Sequence, residues 1–305
     1  MGLLILAGGG GLLWAGAELF TEHATAAGRR LRVTALAIGV LVAGAEPEEL
    51  VTTVLAAARD RPGIAVGDAV GANLVMLTLV LGLASLLRPL PFGRRVARYA
   101  GLAAVAAAGA AAALVTGRTV SRVEGVLLMA AYVALAVAVW RGEHAGDGDD
   151  DAADDDDDVL SERFAIALMV IGVAVMGTGG WLAVVGAERI VESLGTDDER
   201  VGLTLVALAT TLELVALVVA SARRGVSELA VAAVVGSAIS NSTLSLGAAA
   251  LVTPLPAGRL IPAAVLAVAL PLLLLVVARR AGTVTRPAGA VLAIAYGAVV
   301  AIAVA

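Results

Sequence analysis

Apolar residues run along this chain in blocks of about twenty, separated by short stretches that carry Arg, Asp, Gly or Pro. A block of ~20 apolar residues is what an α-helix needs to cross a bilayer core. The pattern predicts ten such helices. Spans 1 to 5 are Gly2–Phe20, Val33–Ala58, Ile64–Leu87, Tyr99–Thr116 and Arg122–Trp140. Spans 6 to 10 are Phe164–Leu194, Val201–Ala222, Leu229–Val252, Leu260–Val277 and Pro287–Ala305. Span 1 lacks a basic leader and continues into Gly16-Ala17-Glu18-Leu19-Phe20-Thr21-Glu22, so it reads as a retained helix, not a cleaved signal. Gly8 to Gly11 are either a close helix contact or a tolerated run of small residues.

Two spans are interrupted. Gly44-Ala45-Glu46-Pro47-Glu48-Glu49-Leu50 places three carboxylates and a Pro inside span 2. Each ionised side chain at mid-membrane costs about 2.5–3.5 kcal/mol on insertion scales. Such a group persists where it faces a protein-lined cavity, binds a cation or titrates. The Pro frees backbone carbonyls, which membrane depth tolerates only where protein or a water-filled cavity receives them. In span 7, Ala209-Thr210-Thr211-Leu212-Glu213-Leu214 holds that span's only charge, Glu213.

Composition agrees. Hydrophobic residues are 60% and charged residues 15% of 305, and mean hydropathy is +0.97. Soluble domains are nearer 45–50% apolar and about 25% charged. The fold class is therefore an all-α polytopic membrane protein. With no Cys and only His23 and His144, disulfides, thiol chemistry and a His-rich transition-metal site are excluded. No Ser/His, His/Glu or paired-Asp catalytic set appears, so the chain does not read as an enzyme. No resident cofactor is implied. The partners expected are membrane lipid and inorganic cations, not nucleic acid.

Residues 142–162 stand apart. Nine Asp fall between Asp147 and Asp158, which reads as a solvated linker. An EF-hand loop would need spaced ligands and a turn Gly that are missing here. The linker joins two similar halves, 1–141 and 163–305. Gly16-Ala17-Glu18 with Glu22 echoes Gly186-Ala187-Glu188 with Glu192. Arg122, Gly125 and Tyr132 recur 164 residues later as Arg286, Gly289 and Tyr296, and Glu49 and Glu213 share that offset. The two Tyr read as packing or interfacial anchors, and Glu18 and Glu188 as interfacial structural residues. Loops 1–2, 3–4, 5–6, 7–8 and 9–10 carry 14 Arg and the opposite loops 7. The positive-inside rule puts the first set in the cytosol, with both termini outside and the linker cytosolic. Five spans per copy is odd, so the copies have opposite topology, the plan of secondary transporters with a midplane site.

Candidate ligands follow from the helix after each interrupted span. Gly67-Asp68-Ala69-Val70-Gly71-Ala72-Asn73 follows Glu49, and Gly236-Ser237-Ala238-Ile239-Ser240-Asn241 follows Glu213. Ser237 and Asn241 are four apart and share a helix face, and Thr210 and Glu213 are three apart. An all-oxygen set suits Ca²⁺ or Na⁺, not a soft metal. Glu46, Glu48 and Glu49 are crowded enough to share a proton, which would suit H⁺ coupling.

At these residues the chain resembles the calcium/cation antiporter superfamily, the sodium/calcium and proton/calcium exchangers. The hallmark there is a G-T-S-L-P-E-L-like break followed by a G-S-N-I-F-N-like helix, in two inverted repeats. The stretch Ser121-Arg122-Val123-Glu124-Gly125 with Tyr132 is similar to that family's fifth span. The resemblance covers nearly the whole chain. It implies exchange of Ca²⁺ against Na⁺ or H⁺ by alternating access, with the outer two-helix unit of each repeat sliding against a core. It also implies a site of Glu49, Glu213, Asn241, Ser237, Thr210, Asn73 and Glu46, with carbonyls near Gly44 and Ala209. This sequence departs from the pattern at several places. Glu48 replaces the motif Pro, Ala45 and Glu46 replace Thr and Ser, Ala72 and Met76 replace Ser and the second Asn, and Leu212 replaces the second Pro. Two other readings stay open. One is the same fold carrying a different cation with H⁺ coupling. The other is a non-transporting membrane sensor or scaffold that works through its linker, in which case deleting Asp147–Asp158 would destroy function.

Overall fold

The structure, a computed structural model, describes residues 2–31, 33–144, 159–191, 202–256, 258 and 261–304. The Asp147–Asp158 linker, Glu192 and Asp197–Arg200 lie outside the described residues, as do the side chains of Glu48 and Glu188.

Helices in chain order occupy all ten expected spans. Span 1 is Gly2–Leu31, span 4 Arg94–Gly117, span 5 Arg122–His144, span 6 Val159–Val191, span 9 Ile261–Ala281 and span 10 Arg286–Val304. Span 2 is Ala35–Leu41, a tight turn at Ala43–Ala45 and Pro47–Ala58. Span 3 runs from Pro62 to Leu87 and span 8 from Ser227 to Val252. Span 7 includes Gly202–Val206, Ala207–Thr210 and Leu212–Arg224. The chief boundary difference is span 1, which continues eleven residues past Phe20 to Leu31. Its polar end is held from outside: Glu18 pairs with Arg223 at 3.4 Å and Arg224 at 2.9 Å, and Glu22 pairs with Arg224 at 3.1 Å. The end of span 7 thus meets span 1 where its apolar run gives way to the polar tail. Glu18 has the structural role expected of it.

Spans 3 and 8 are almost entirely buried, whereas most of span 5 is exposed on the outer surface of the bundle. Leu and Val at such exposed positions (Val123, Leu127, Val291, Ile294) suit contact with lipid.

The two halves are built alike. In span 3 the helix widens over Met76–Val80, and in span 8 over Asn241–Ser245, each as one π-turn. A π-turn disturbs the i→i−4 ladder, and a hydroxyl meets a carbonyl in both: Thr78 Oγ1 donates to Leu74 O, and Thr243 Oγ1 to Ile239 O, both at 2.5 Å. A Cβ on Gly125 would stand 2.8 Å from Gly247 O, and a Cβ on Gly289 2.8 Å from Gly82 O. Span 5 therefore lies on span 8 as span 10 lies on span 3. That contact is the physical reason for the paired Gly125 and Gly289. At the start of span 5, Glu124 Oε2 accepts from Ser121 N at 2.7 Å and Ser121 Oγ donates to it at 2.8 Å, a capping box. Arg122 in turn donates to Leu251 O and Val252 O at the end of span 8.

Four two-residue strands fix the topology. β1 (Leu90–Pro91) pairs antiparallel with β4 (Thr283–Val284), and β2 (Thr119–Val120) with β3 (Leu255–Pro256). β1 and β4 sit in loops 3–4 and 9–10, β2 and β3 in loops 4–5 and 8–9. Even numbers of spans, six and four, separate the members of each pair, so each pair shares one membrane face. The pairs exchange when the repeats are exchanged, yet five spans separate loop 3–4 from loop 8–9. Equivalent loops therefore lie on opposite faces. This is an inverted duplication read from pairing alone.

Spans 1 and 6, one from each repeat, pack closely on each other. A Cβ on Gly16 would meet Met176 N at 2.6 Å, one on Gly172 would meet Phe20 N at 2.7 Å, and one on Gly179 would meet Leu13 N at 2.6 Å. Gly8, Gly10 and Gly11 have nothing within 4 Å of the added carbon, so among them the tolerated-residue reading holds. Overpacking a tight contact costs about 1–3 kcal/mol. Gly172→Leu should lower the melting temperature of the detergent-solubilised protein, and Gly10→Leu should leave it unchanged. Equal effects would refute this assignment of the interface.

Candidate functional site

Pro47 cannot donate a backbone hydrogen bond, its ring collides with the carbonyl four residues back, and it suits the first position of a new helix. The residue before a Pro is steered away from the helical region. Glu46 leaves the helix, in the left-handed region at φ 39°, ψ 69° and not in the extended region usual before Pro. Among the described residues Glu46, Asp60 and Arg118 are the non-Gly positions with positive φ, and of these Glu46 alone is buried. Such a conformation costs on the order of 1–3 kcal/mol, here placed on a carboxylate-bearing residue inside the protein.

The broken segment is seated on span 8. A Cβ on Gly44 would lie 2.6 Å from Gly236 Cα and 2.7 Å from Ser237 N, so the two backbones touch and both positions need Gly. Ser240 Oγ donates to the freed carbonyl of Ala45 at 3.2 Å. Asn241 Nδ2 donates to Glu46 Oε2 at 3.4 Å, and Ser245 Oγ to Asn241 Oδ1 at 3.5 Å. A side chain from one repeat thus meets a carboxylate from the other.

Span 7 lacks the Pro, and its interruption is correspondingly milder. Thr211 sits at φ −74°, ψ −2°, yet Thr211 N still reaches Ala207 O and Val215 N still reaches Thr211 O, each at 3.2 Å. The ladder bends where span 2 parts. Hydroxyls serve the bend: Thr211 Oγ1 lies 2.9 Å from Ala207 O, and Thr210 Oγ1 lies 3.1 Å from Ala207 O and 3.2 Å from Val206 O. Thr210 Oγ1 is also 3.2 Å from Asp68 Oδ1 of span 3.

Glu46, Glu49 and Asp68 are fully buried, and Glu213 is 2% exposed. Thr210, Ser237, Asn241 and Asn73 are buried with them. No basic side chain is among the described buried residues. Burying an ionised carboxylate is costly unless it is hydrogen-bonded, paired, or offset by a cation or proton. Among the described residues no three Asp, Glu, His or Cys side chains meet closely enough to hold an ion by themselves. An ion here must draw on neutral oxygens as well. Ser237 Oγ and Asn73 Oδ1 have no hydrogen-bond partner among the described residues.

The residues expected from sequence are distributed over several contacts. Glu46 meets Asn241, Thr210 meets Asp68, and Asn73 Nδ2 donates to Ser242 Oγ at 2.8 Å. Asn73, Asn241 and Ser242 line one small cavity walled by alanines of spans 4 and 9. Ser240, Ser242 and Ser245 were not among the ligands expected from sequence. Their signal was legible: Ser240-Asn241-Ser242 is a polar run inside an otherwise apolar helix.

The family model described as "Sodium/calcium exchanger protein" matches residues 1–141 and 164–305. A protein of Alkalimonas amylolytica assigned the name antiporter CaxA is 27% identical over 249 residues, 80% of this chain and 78% of its own. The inner membrane protein YrbG of Escherichia coli is 26% identical over 234 residues, 74% of this chain and 72% of its own. The solved structure of the sodium-calcium exchanger NCX_Mj soaked with Na⁺ and Sr²⁺ superimposes with a TM-score of 0.82 at 25% identity, covering 98% of each chain. The same exchanger soaked with Na⁺ and Ca²⁺ gives 0.82 as well. These likenesses support cation antiport as the general activity. With two inverted repeats, paired interruptions and buried carboxylates at both, this chain belongs to the sodium/calcium exchanger protein family.

Proposed function

We propose that the protein is a secondary active antiporter of the inner membrane that exports Ca²⁺ in exchange for Na⁺ or H⁺ by alternating access. One observation carries the reading. Glu49 and Glu213, equivalent in the two repeats, are both buried beside an interrupted span, together with the neutral oxygens of Thr210, Ser237 and Asn241. These two carboxylates bind the cation across the pseudo-two-fold. Thr210, Ser237, Asn241, Asn73 and Glu46 complete the shell, with carbonyls near Gly44 and Ala209. Residues 1–141 and 163–305 act as the two repeats and 142–162 joins them in the cytosol, with both termini outside. Sequence reasoning expected two helices of each repeat to slide. The Gly-mediated packing of span 1 on span 6 favours that cross-repeat pair as the sliding unit.

A dispersed shell, with few charges and many neutral oxygens, suits transport. Conduction and exchange need binding strong enough to admit an ion and weak enough to release it. Glu46 against Asn241 favours a variant of this reading in which another cation is carried with H⁺ coupling. A competition series with Na⁺, K⁺, Mg²⁺ and Mn²⁺ discriminates it.

In proteoliposomes, ⁴⁵Ca²⁺ uptake should follow an imposed Na⁺ or pH gradient, and Glu213→Ala should abolish it. No uptake under either gradient from folded protein, or full uptake by the variant, would overturn the assignment. Binding should also appear as stability. Ca²⁺ at 100 times its Kd should stabilise the protein by about 2.7 kcal/mol. The thermal shift should vanish in the Glu49→Gln/Glu213→Gln double variant. A shift retained there would place the ion elsewhere.

A further inference from the structure

Asp68 stands outside the ligand set just described, yet it is fully buried and its Oδ1 lies 3.2 Å from Thr210 Oγ1 of the opposite repeat. Span 3 reaches span 7 closely here. A Cβ on Gly71 would strike Leu203 O and stand 2.8 Å from Ala207 Cβ, so Gly71 brings the helix bearing Asp68 against the segment bearing Thr210.

Two features of this contact point to a cation. The first is proton bookkeeping. Thr210 Oγ1 has three acceptors within 3.2 Å: Asp68 Oδ1, Val206 O and Ala207 O. A hydroxyl has one hydrogen and two lone pairs, so it serves one acceptor at a time. When its hydrogen points to Val206 or Ala207, its lone pairs face the Asp68 carboxylate across 3.2 Å. Two facing oxygens repel unless a positive charge lies between them.

The second feature is the comparison of repeats. In span 8 the face that follows Gly236 carries Ser237 and, one turn on, Asn241. The equivalent face of span 3, after Gly71, carries Ala72 and Met76, both buried and both without an oxygen to offer. Asp68 lies on that face four residues before Ala72, about 6 Å along the axis at 1.5 Å per residue. The first repeat thus has its carboxylate one turn nearer the Arg59–Arg61 loop.

We propose that Asp68 is a further cation ligand of the transport site, sharing a hard cation (Na⁺ or Ca²⁺) with Thr210 across the two repeats. This rests on the transport reading above. Without the ion, the Thr210 hydrogen points at Asp68. With it, the hydrogen turns to the Val206 or Ala207 carbonyl, and both side-chain oxygens face the cation. Asp68 thereby supplies the repeat-1 oxygen that Ala72 and Met76 do not.

Asp68→Asn is the discriminating variant, because Asn Oδ1 still accepts from Thr210 and only the charge is lost. Cation-induced thermal shifts are measured on the full-length protein in detergent for Na⁺, K⁺, Mg²⁺, Ca²⁺ and Mn²⁺. Asp68→Asn should weaken apparent affinity for the effective cation at least tenfold while the ion-free melting temperature stays near wild type. A variant that binds as wild type does would overturn the proposal and leave the transport reading standing. Wild-type protein shifted by none of the five cations would overturn both. If Asp68→Asn does not fold, Asp68→Glu is read instead, since it keeps the charge one methylene further out. A changed ratio of Na⁺ to Ca²⁺ affinity supports the proposal, and an unchanged ratio overturns it.

Discussion

Four carboxylates buried with no basic residue among them set the terms for everything else here. In a low-dielectric interior an unpaired charge is disfavoured by several kcal/mol, so the way these four are satisfied governs the design of the centre. The chain has 21 Arg, and none of those described is buried. On the transport reading, the cation that meets these carboxylates comes from solution and is exchanged.

The rest of the architecture serves that demand. Spans 3 and 8 form the dry centre, and each is widened by one π-turn close to a candidate ligand position. Glycines let the interrupted segments come down onto these two helices with backbone in contact. The two interruptions differ in kind, however. Pro47, with Glu46 before it in a left-handed conformation, severs span 2, whereas Leu212 leaves span 7 with a bent but continuous ladder eased by Thr210 and Thr211. The duplication is symmetric in topology and asymmetric in chemistry.

Much of this was legible beforehand because membrane burial leaves few options. Ten apolar blocks give ten helices, and a shared offset of 164 picks out Glu49 and Glu213. What sequence spacing could not supply was contact across the repeats. Asp68 is one acidic residue on a buried helix until Gly71 brings it to Thr210, and only the fold shows that Asn73 meets Ser242 of the other repeat. The tail of span 1 misled for the opposite reason. Its apolar run ends at Phe20, but the helix continues to Leu31, and Glu22 just past that point pairs with Arg224, some two hundred residues later. Local composition reports solvent preference, and here a distant partner overrides it.

The small strands at the two membrane faces have a consequence in time. Leu90 pairs with Val284 and Val120 with Leu255, so each clasp joins an early loop to a late one. A chain that emerges from its N-terminus must hold residues 90–91 unpaired in the membrane interface until residues 283–284 arrive. Contacts so distant in sequence close last and slowly. The first five helices are thus an assembly in waiting, with their carboxylates already inserted and their clasp partners not yet made. During synthesis the cell must shelter this half-finished protein until its final hairpin is delivered.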